Sequence, residues 1–297
     1  MNAVCPLACT FCHREGDPAV AGRERGLSTE TWIVLLQAAV DAGVRKIKLL
    51  GGEPLLRSDL PRIVGALHRR DPSLDLSVIT SGAVPASRID ALFAAGLTRC
   101  NVSIHGFGLD AFRARTGSTA HAWALRNTFL ERVVAHGRPL KTNYVYTGPS
   151  DEGDLAEYLA FAARRALLVN VLDDLSRDDL DANVLEELVV RLRGAPARRW
   201  IEEDPHSLPA TRLAFADGLV VELKHARLGD EMPWTSCARC EVRARCREGI
   251  HALRVSHTGE IRPCMDRPDL GRPLLDGIVS RDGVRASIEA FIQEQAR

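Results

Sequence analysis

The chain has 297 residues, of which 45% are hydrophobic and 26% charged, and its 39 Lys and Arg balance its 39 Asp and Glu. This composition is typical of a globular protein with one large domain and an appendage, or with two domains, and its neutrality argues against a nucleic-acid or membrane-surface partner. No apolar run reaches the roughly 18 residues of a membrane-spanning helix and no signal peptide opens the chain, so we expect a cytoplasmic protein without a membrane partner.

Helix-like and strand-like segments alternate over the first two thirds of the chain. Amphipathic stretches and caps such as Ser28 predict helices over residues 28–42, 59–70, 86–95, 122–136, 151–164 and 181–192. Apolar runs predict strands over residues 44–50, 74–80, 99–104, 140–146 and 167–172. This alternation predicts parallel βαβ units, and therefore an α/β fold that is either a partial (β/α)6 TIM-like barrel or an open doubly wound sheet. A short strand before Cys5 would be the sixth.

The alternation ends near residue 194, where a polar stretch with prolines begins. The pair Asp217-Gly218 then separates two short apolar runs, which is a strong hairpin signal. The predicted hairpin strands cover residues 211–215 and 219–224. We predict two domains, a barrel over residues 1–194 and a C-terminal extension over residues 195–297.

Seven of the eight cysteines form two groups, and Cys100 stands alone in an apolar run where a core thiol is expected. In a reducing compartment such groups favour metal binding or catalysis over disulfides. The first group is Cys5, Cys9 and Cys12. Thiolates are the ordinary ligands of a [4Fe-4S] cluster, which normally takes four, so three would leave one iron open. A zinc knuckle or buried structural thiols are the alternatives.

The spacing of this group, C-x3-C-x-F-C, and the turn Gly51-Gly52-Glu53-Pro54 together resemble the signature of the radical S-adenosylmethionine (SAM) family. The resemblance implies a partial barrel in which the open iron is chelated by the amino and carboxylate groups of SAM. It also implies that Phe11 lies near the adenine, and that the turn holds the SAM amino group, with Glu53 as the acceptor.

Four further stretches resemble the GTP 3′,8-cyclases of this family. They are GGEPLLRSDL from Gly51, Thr80-Ser81-Gly82, Asn101-Val102-Ser103-Ile104 and Lys141-Thr142-Asn143. By resemblance, Thr80, Ser81 and Ser103 are expected to contact SAM. Arg57, Lys141 and Asn143 are expected to contact the substrate. A capping, turn or solvated role is the alternative for each.

The second cysteine group resembles the Twitch and SPASM extensions that carry auxiliary clusters on radical SAM barrels. Its members are Cys237, Cys240, Cys246 and Cys264, with Gly259 in a C-x12-G-x4-C arrangement. Four thiolates enclose a complete [4Fe-4S] cluster, so the resemblance implies two clusters in all. A zinc ion bound by the same four thiolates is the alternative.

Two departures separate this chain from the GTP cyclases. The cyclases end in Gly-Gly, whereas this chain ends in Glu-Gln-Ala-Arg. Of the two arginines before the final cluster cysteine, Arg254 is kept and Ala252 replaces the other. We therefore expect another small polar substrate, a nucleoside, nucleotide or sugar, with Arg254 near it. GTP cyclisation, peptide modification and a zinc-stabilised binding module stay open.

The resemblance also implies the mechanism. An electron from a donor such as flavodoxin or ferredoxin would enter the Cys5/Cys9/Cys12 cluster and cleave SAM. The resulting 5′-deoxyadenosyl radical would abstract a hydrogen from the substrate, while the protein orients the reactants and excludes water. The oligomeric state is left open by the sequence.

Overall fold

A computed structural model describes residues 1–12, 26–174, 177, 179–203, 209–224, 235–241, 243, 246, 252–264, 267–275 and 280–295. Its helices are α1 Thr29–Asp41, α2 Leu60–Arg70, α3 Ser87–Ala94, α4 Leu109–Thr116, α5 Ala120–Ala135, α6 Glu152–Ala163, α7 Ala182–Arg193, α8 Thr235–Ala238 and α9 Arg281–Gln295. Its strands are β1 Lys46–Leu49, β2 Asp75–Thr80, β3 Arg99–Ser103, β4 Leu140–Tyr146, β5 Leu168–Asp173, β6 Arg198–Glu202, β7 Ala210–Ala214, β8 Val220–Lys224, β9 Arg254–Val255, β10 Glu260–Arg262 and β11 Arg272–Pro273. Every helix and strand predicted by the alternation forms within about two residues of its predicted bounds, the usual uncertainty of an element end.

One eight-stranded sheet, in the order β1-β2-β3-β4-β5-β8-β7-β6, carries most of the chain. The strands β1 to β5 and β8 pair in parallel, whereas β7 and β6 continue the sheet in antiparallel pairs. The predicted hairpin is confirmed, and its second strand is the sixth parallel strand. The sheet thus includes strands that follow residue 194. The division of the chain into two domains at that residue stays a prediction. Side chains of all eight strands line one cavity, so the sheet curves into the partial barrel that the sequence predicts.

The convex side of the sheet is covered by helices, and the contact between them is the main core. Ser28 caps α1 as predicted, since its hydroxyl accepts a hydrogen bond from the Thr31 amide at 3.1 Å. Trp32 on α1, Phe129 on α5 and Tyr158 on α6 are fully buried in or against this core. The apolar residues of each strand therefore face the helices, which leaves the alternate residues for the inside of the barrel.

Among the elements that the sequence did not predict are α4, β6 and α9. Helix α4 buries Arg115 and Thr116 as well as Phe112, so it lacks a clean apolar face. Strand β6 is the edge strand, and its residues are exposed or half-buried, so no apolar alternation marks it. Helix α9 does carry an apolar period and packs against α1. In the described part of the chain, no helix is long and apolar enough to cross a membrane.

Residues 1–4 lie beside the turn that follows β1, where the sequence suggests an abbreviated strand. The amide of Gly52 donates to the Asn2 carbonyl and that of Glu53 to the Val4 carbonyl, both at 2.7 Å. The segment is not a regular strand, but these bonds lead it directly into the first cysteine group.

Candidate active site at the carboxyl ends of the strands

The first cysteine group lies on an irregular loop that is tied to the end of α4. The amide of Ala8 donates to the Thr116 carbonyl at 2.9 Å, and that of Thr10 donates to the Arg115 carbonyl at 3.0 Å. Cys5 and Cys12 are exposed, and Cys9 is half-buried. The predicted ligands are thus displayed on one anchored loop, although residues 13–25 behind it lie outside the described part.

The donor set fits an iron-sulfur cluster. Burial, and then the neighbouring thiols of Cys5 and Cys12, raise the pKa of Cys9 to about 12, so three thiolates this close together need positive charge nearby. Bound iron supplies that charge and deprotonates its thiol ligands. Among the described residues, no three His, Cys, Asp or Glu side chains are grouped tightly enough to share a single metal ion. A cluster does not require such a group, because each cysteine binds a different iron.

The Glu53 carboxylate is fully buried, and four donors from the chain fill its oxygens. One oxygen accepts from the Leu55 amide at 3.1 Å and the Thr80 hydroxyl at 2.7 Å. The other accepts from the Ser81 amide at 2.8 Å and the Ser81 hydroxyl at 2.6 Å. A carboxylate offers about four acceptor positions, so these four donors occupy them. In this structure the side chain joins the end of β1 to the end of β2, and its contact with the SAM amino group stays a prediction.

The two glycines of the turn are required by the chain itself. A Cβ at Gly52 would lie 2.2 Å from the Val4 carbonyl oxygen, and one at Gly51 would lie 2.5 Å from the Asn2 carbonyl oxygen. Side chains at these positions would expel the segment that precedes Cys5. This close backbone packing positions the cysteine loop, and contact of Gly51 and Gly52 with SAM stays a prediction.

Two residues beside Phe11 were missed by the sequence analysis. The His105 ring lies 5.4 Å from the Phe11 ring, and the Arg115 guanidinium lies 4.9 Å from it. Arg115 also forms a buried ion pair with Asp151 at 2.6 Å. Burial, and then the charges of Arg115 and Arg126, lower the pKa of His105 to about 3, so its ring is neutral. His105 could have been found, because it follows directly after a predicted strand, where parallel α/β folds place their sites.

The three predicted SAM-contacting hydroxyls differ in their surroundings. Those of Thr80 and Ser81 donate to Glu53, as described above. Ser103 ends β3 opposite Asn143 on β4, and its side chain has no hydrogen-bond partner among the described residues. Of the three, Ser103 is the hydroxyl best placed for a ligand, and SAM contact by all three stays a prediction.

A cavity of about 420 Å³ occupies the inside of the barrel. Lys141 and Asn143, two of the predicted substrate residues, line it. The Lys141 ammonium lies 2.5 Å from a carboxylate oxygen of Glu222, and the second oxygen of Glu222 accepts from Arg212 at 3.0 Å. The Asn143 side-chain oxygen accepts from the Asn170 amide at 3.1 Å. Asn143 lies opposite Ser103 in the register of β3 and β4, so the polar lining of the cavity comes close to Ser103.

Arg57 does not reach this cavity. Its guanidinium donates to the Met1 carbonyl at 3.1 Å and the Leu27 carbonyl at 3.0 Å, and it pairs with Asp59 at 2.6 Å. These contacts hold the N-terminal segment near the start of α1, and the substrate role of Arg57 stays a prediction. Arg254 belongs to the small sheet of β9, β10 and β11, does not line the cavity, and stays a prediction.

The second cysteine group is partly described. Cys264 is buried, whereas Cys237, Cys240 and Cys246 are half-buried. The Arg267 guanidinium lies 3.7 Å from the Cys240 sulfur, a contact suited to a thiolate. Gly259 has a φ of +88° in the turn between β9 and β10, a conformation that favours glycine. Residues 247–251 lie outside the described part, and the second cluster stays a prediction. Cys100, by contrast, is fully buried, which confirms the expected core thiol.

Residues 1–162 match the model of the radical SAM superfamily. Since the match covers more than half of the chain, the protein belongs to this superfamily, whose members are enzymes that use SAM and a [4Fe-4S] cluster.

Among similar proteins are two described as probable GTP 3′,8-cyclases. The protein of Methanosarcina mazei is 28% identical over 272 residues, covering 88% of this chain and 74% of the relative. The protein of Metallosphaera sedula is 28% identical over 283 residues, covering 91% and 80%. The chain is thus similar to this group within the family.

Solved structures share the fold at low identity. Streptococcus suis SuiB bound to the precursor peptide SuiA superposes with a TM-score of 0.63 at 16% identity, covering 97% of this chain and 65% of SuiB. The enzyme anSMEcpe with bound AdoMet and Cp18Cys peptide gives a TM-score of 0.58 at 12% identity, covering 100% of this chain and 81% of that one. The chain spans slightly less than two thirds of SuiB, and these likenesses support the fold alone.

Proposed function

We propose that this enzyme abstracts a hydrogen atom from a small polar molecule bound inside the barrel. The substrate would be a nucleoside, a sugar, or a nucleotide other than GTP. The observation that carries the proposal is the cavity of about 420 Å³, which has the size of a small-molecule site and is lined by charged and amide side chains. Its lining reaches Asn143, opposite Ser103 at the strand ends where SAM is expected.

The bound cluster and SAM supply the one-electron chemistry, and the chain supplies position and exclusion of water. Cys5, Cys9 and Cys12 would hold the cluster. The bonds from Glu53 to Thr80 and Ser81 fix the turn on which the cysteine loop rests. In the cavity, Lys141 and Asn143 would orient the substrate below that turn.

We also propose that Cys237, Cys240, Cys246 and Cys264 hold a second, fully ligated [4Fe-4S] cluster. The support is the burial of Cys264 and the guanidinium beside Cys240. A fully ligated cluster would exchange electrons with the reaction centre rather than anchor substrate. A flavodoxin or ferredoxin would provide the first electron.

The cofactor assignments can be tested by anaerobic reconstitution, iron counting and chromatography of SAM products. The wild type should be brown, hold about eight irons and release 5′-deoxyadenosine after reduction. Cys9→Ala should lose about four irons and all SAM cleavage, whereas Cys246→Ala should keep some cleavage but lose turnover. Cys100→Ala is the matched control, since this buried thiol should not affect the iron content. SAM cleavage by the Cys9 variant would contradict the ligand assignment, and a colourless protein with two zinc ions would favour the binding module.

The substrate class can be tested with the same assay. Nucleosides, nucleotides including GTP, sugars and short peptides carrying deuterium should be screened for transfer of deuterium into 5′-deoxyadenosine. Asn143→Ala should lower the substrate-dependent part of the signal and leave the substrate-independent cleavage of SAM unchanged. Transfer from GTP alone would identify a GTP cyclase, and transfer from peptides alone would replace our proposal with peptide modification.

A further inference from the structure

The lysines of this chain are all found in the lining of the barrel cavity. The chain contains four lysines against 35 arginines, and the four are Lys46, Lys48, Lys141 and Lys224. All four line the barrel cavity, two from β1, one from β4 and one from β8. Everywhere else positive charge is supplied by arginine. Lysine differs from arginine in carrying a compact point charge on a flexible stem, which suits a site that must fit a small charged group.

The cavity carries more positive than negative charge. Its lining includes six cationic and three acidic side chains, namely Lys46, Lys48, Arg99, Lys141, Arg212 and Lys224, and Asp75, Glu202 and Glu222. The acidic groups are engaged by neighbouring cations. Asp75 pairs with Arg99 at 2.7 Å, and Glu222 is shared by Lys141 and Arg212. Glu202 also pairs with Arg212, at 3.2 Å.

Neither Lys48 nor Lys224 forms a salt bridge in the part of the chain that the structure describes, although the Glu222 carboxylate, which is bonded to Lys141 and Arg212, also attracts Lys224. Burial, and then the charge of Lys224, lower the pKa of Lys48 to about 7. Burial and neighbouring cations lower the pKa of Lys224 as well. Two half-buried ammonium groups that repel each other destabilise the fold, and a bound anion would remove this penalty.

We propose that Lys48 and Lys224 bind an anionic group, a phosphate or a carboxylate, of a small molecule inside the barrel, with Lys46 and Arg99 beside it. This inference rests on the proposed function and narrows it, because it makes the substrate an anion. Lys48 lies on β1 before the Gly51 turn, whereas Ser103 and Asn143 lie towards the strand ends. Lys224 is the last residue of β8, and both lysines line the same cavity as Asn143. The anionic group would therefore lie within the barrel, between β1 and β8.

Calorimetric titration of the reconstituted full-length enzyme with inorganic phosphate, pyrophosphate or malonate tests the site. We expect the wild type to bind at least one of them, and Lys48→Gln and Lys224→Gln to bind it about tenfold more weakly, the usual effect of losing a charge-assisted hydrogen bond. Arg88→Gln, which removes the same charge from an exposed position, should bind like the wild type. Binding of the phosphates alone would identify a phosphate ester, and binding of malonate alone a carboxylate.

Absence of binding by the wild type, or equal binding by the two lysine variants, would overturn the proposal. Should a glutamine variant fold poorly in circular dichroism, Lys48→Met decides instead, because it removes the buried charge without lowering stability and should also bind about tenfold more weakly than the wild type. The titration is separate from SAM cleavage. A protein that releases 5′-deoxyadenosine but binds none of the anions refutes only the anion site, and one that binds them without cleaving SAM refutes only the proposed reaction.

Discussion

Replacing Glu53 with glutamine tests the idea that a buried carboxylate organises the cofactor turn. The change keeps the shape of the side chain but turns one acceptor oxygen into an NH2 donor. Each carboxylate oxygen accepts from one backbone amide, Leu55 on one side and Ser81 on the other, and from one hydroxyl. A hydroxyl can rotate to accept from the new NH2 group, whereas a backbone amide cannot.

Whichever way the glutamine turns, one buried amide therefore loses its acceptor. An unsatisfied buried donor costs about 1–3 kcal/mol. The uncharged glutamine recovers part of the cost of burying a carboxylate, so we expect the free energy of unfolding to fall by up to this amount. The pH dependence should change too. Burial raises the pKa of Glu53 above its ordinary value, and its hydrogen bonds from Ser81, Thr80 and Leu55 do not offset that rise. The folded state thus holds this proton more tightly than the unfolded state, and this group's contribution to stability falls as the pH rises from the ordinary value through the raised one.

Urea unfolding of the full chain, followed by circular dichroism at several pH values, measures both effects. Glu131→Gln is the control, because the pair of Glu131 with Arg165 is at the surface and is worth less than about 1 kcal/mol. An unfolding free energy of Glu53→Gln equal to or above that of the wild type would refute the organising role of the carboxylate.

Three further changes probe the surroundings. Gly52→Ala should displace the N-terminal segment and lower cluster content and SAM cleavage more than tenfold, whereas Gly153→Ala, whose added Cβ meets nothing, should leave both unchanged; iron counting separates them. Arg115→Gln should destabilise the fold by about 3–5 kcal/mol in urea, because Asp151 is left buried without its partner; a loss under about 1 kcal/mol would contradict this. Lys48→Met should raise stability by about 1–3 kcal/mol at neutral pH in anion-free buffer. The wild type should gain more stability than the variant as the pH rises from about 7 to 10.5, since its folded state holds the Lys48 proton less tightly, whereas Lys224 contributes in both; an identical pH profile of the variant would refute this.

The fold was predictable where a local pattern matched a tertiary role. The alternation of apolar runs and amphipathic stretches predicted the parallel strands because each buries one face against helices. Strand β6 was not predictable in this way, since an edge strand buries little and its sequence shows no alternation. The pairing of β8 with β5 was equally hidden, because a hairpin pattern does not tell which sheet the hairpin joins.

In the site, spacing along the chain predicted the cysteine loop and the glycine turn, but not what the side chains contact. Glu53 was assigned to a ligand because only its neighbours in sequence were visible. Its partners Thr80 and Ser81 lie 27 and 28 residues further on and reach it only through the packing of β1 beside β2. The partners of Arg57 were hidden for the same reason, since they include the Met1 carbonyl 56 residues away.

The lysines of β1 show that the same sequence pattern can place polar residues either in water or inside a barrel. In Lys46-Ile47-Lys48-Leu49 the alternation is that of a half-buried strand, which normally turns its polar residues to water. Here Ile47 and Leu49 face the helices, so the two lysines must face the inside of the curved sheet. Helices cover the outer face of a barrel, so a charged inner face cannot be explained as ordinary surface. The charge of Lys48 has to be neutralised by the chain or by a ligand, and the described acidic side chains that line the cavity form their salt bridges with Arg99, Lys141 and Arg212.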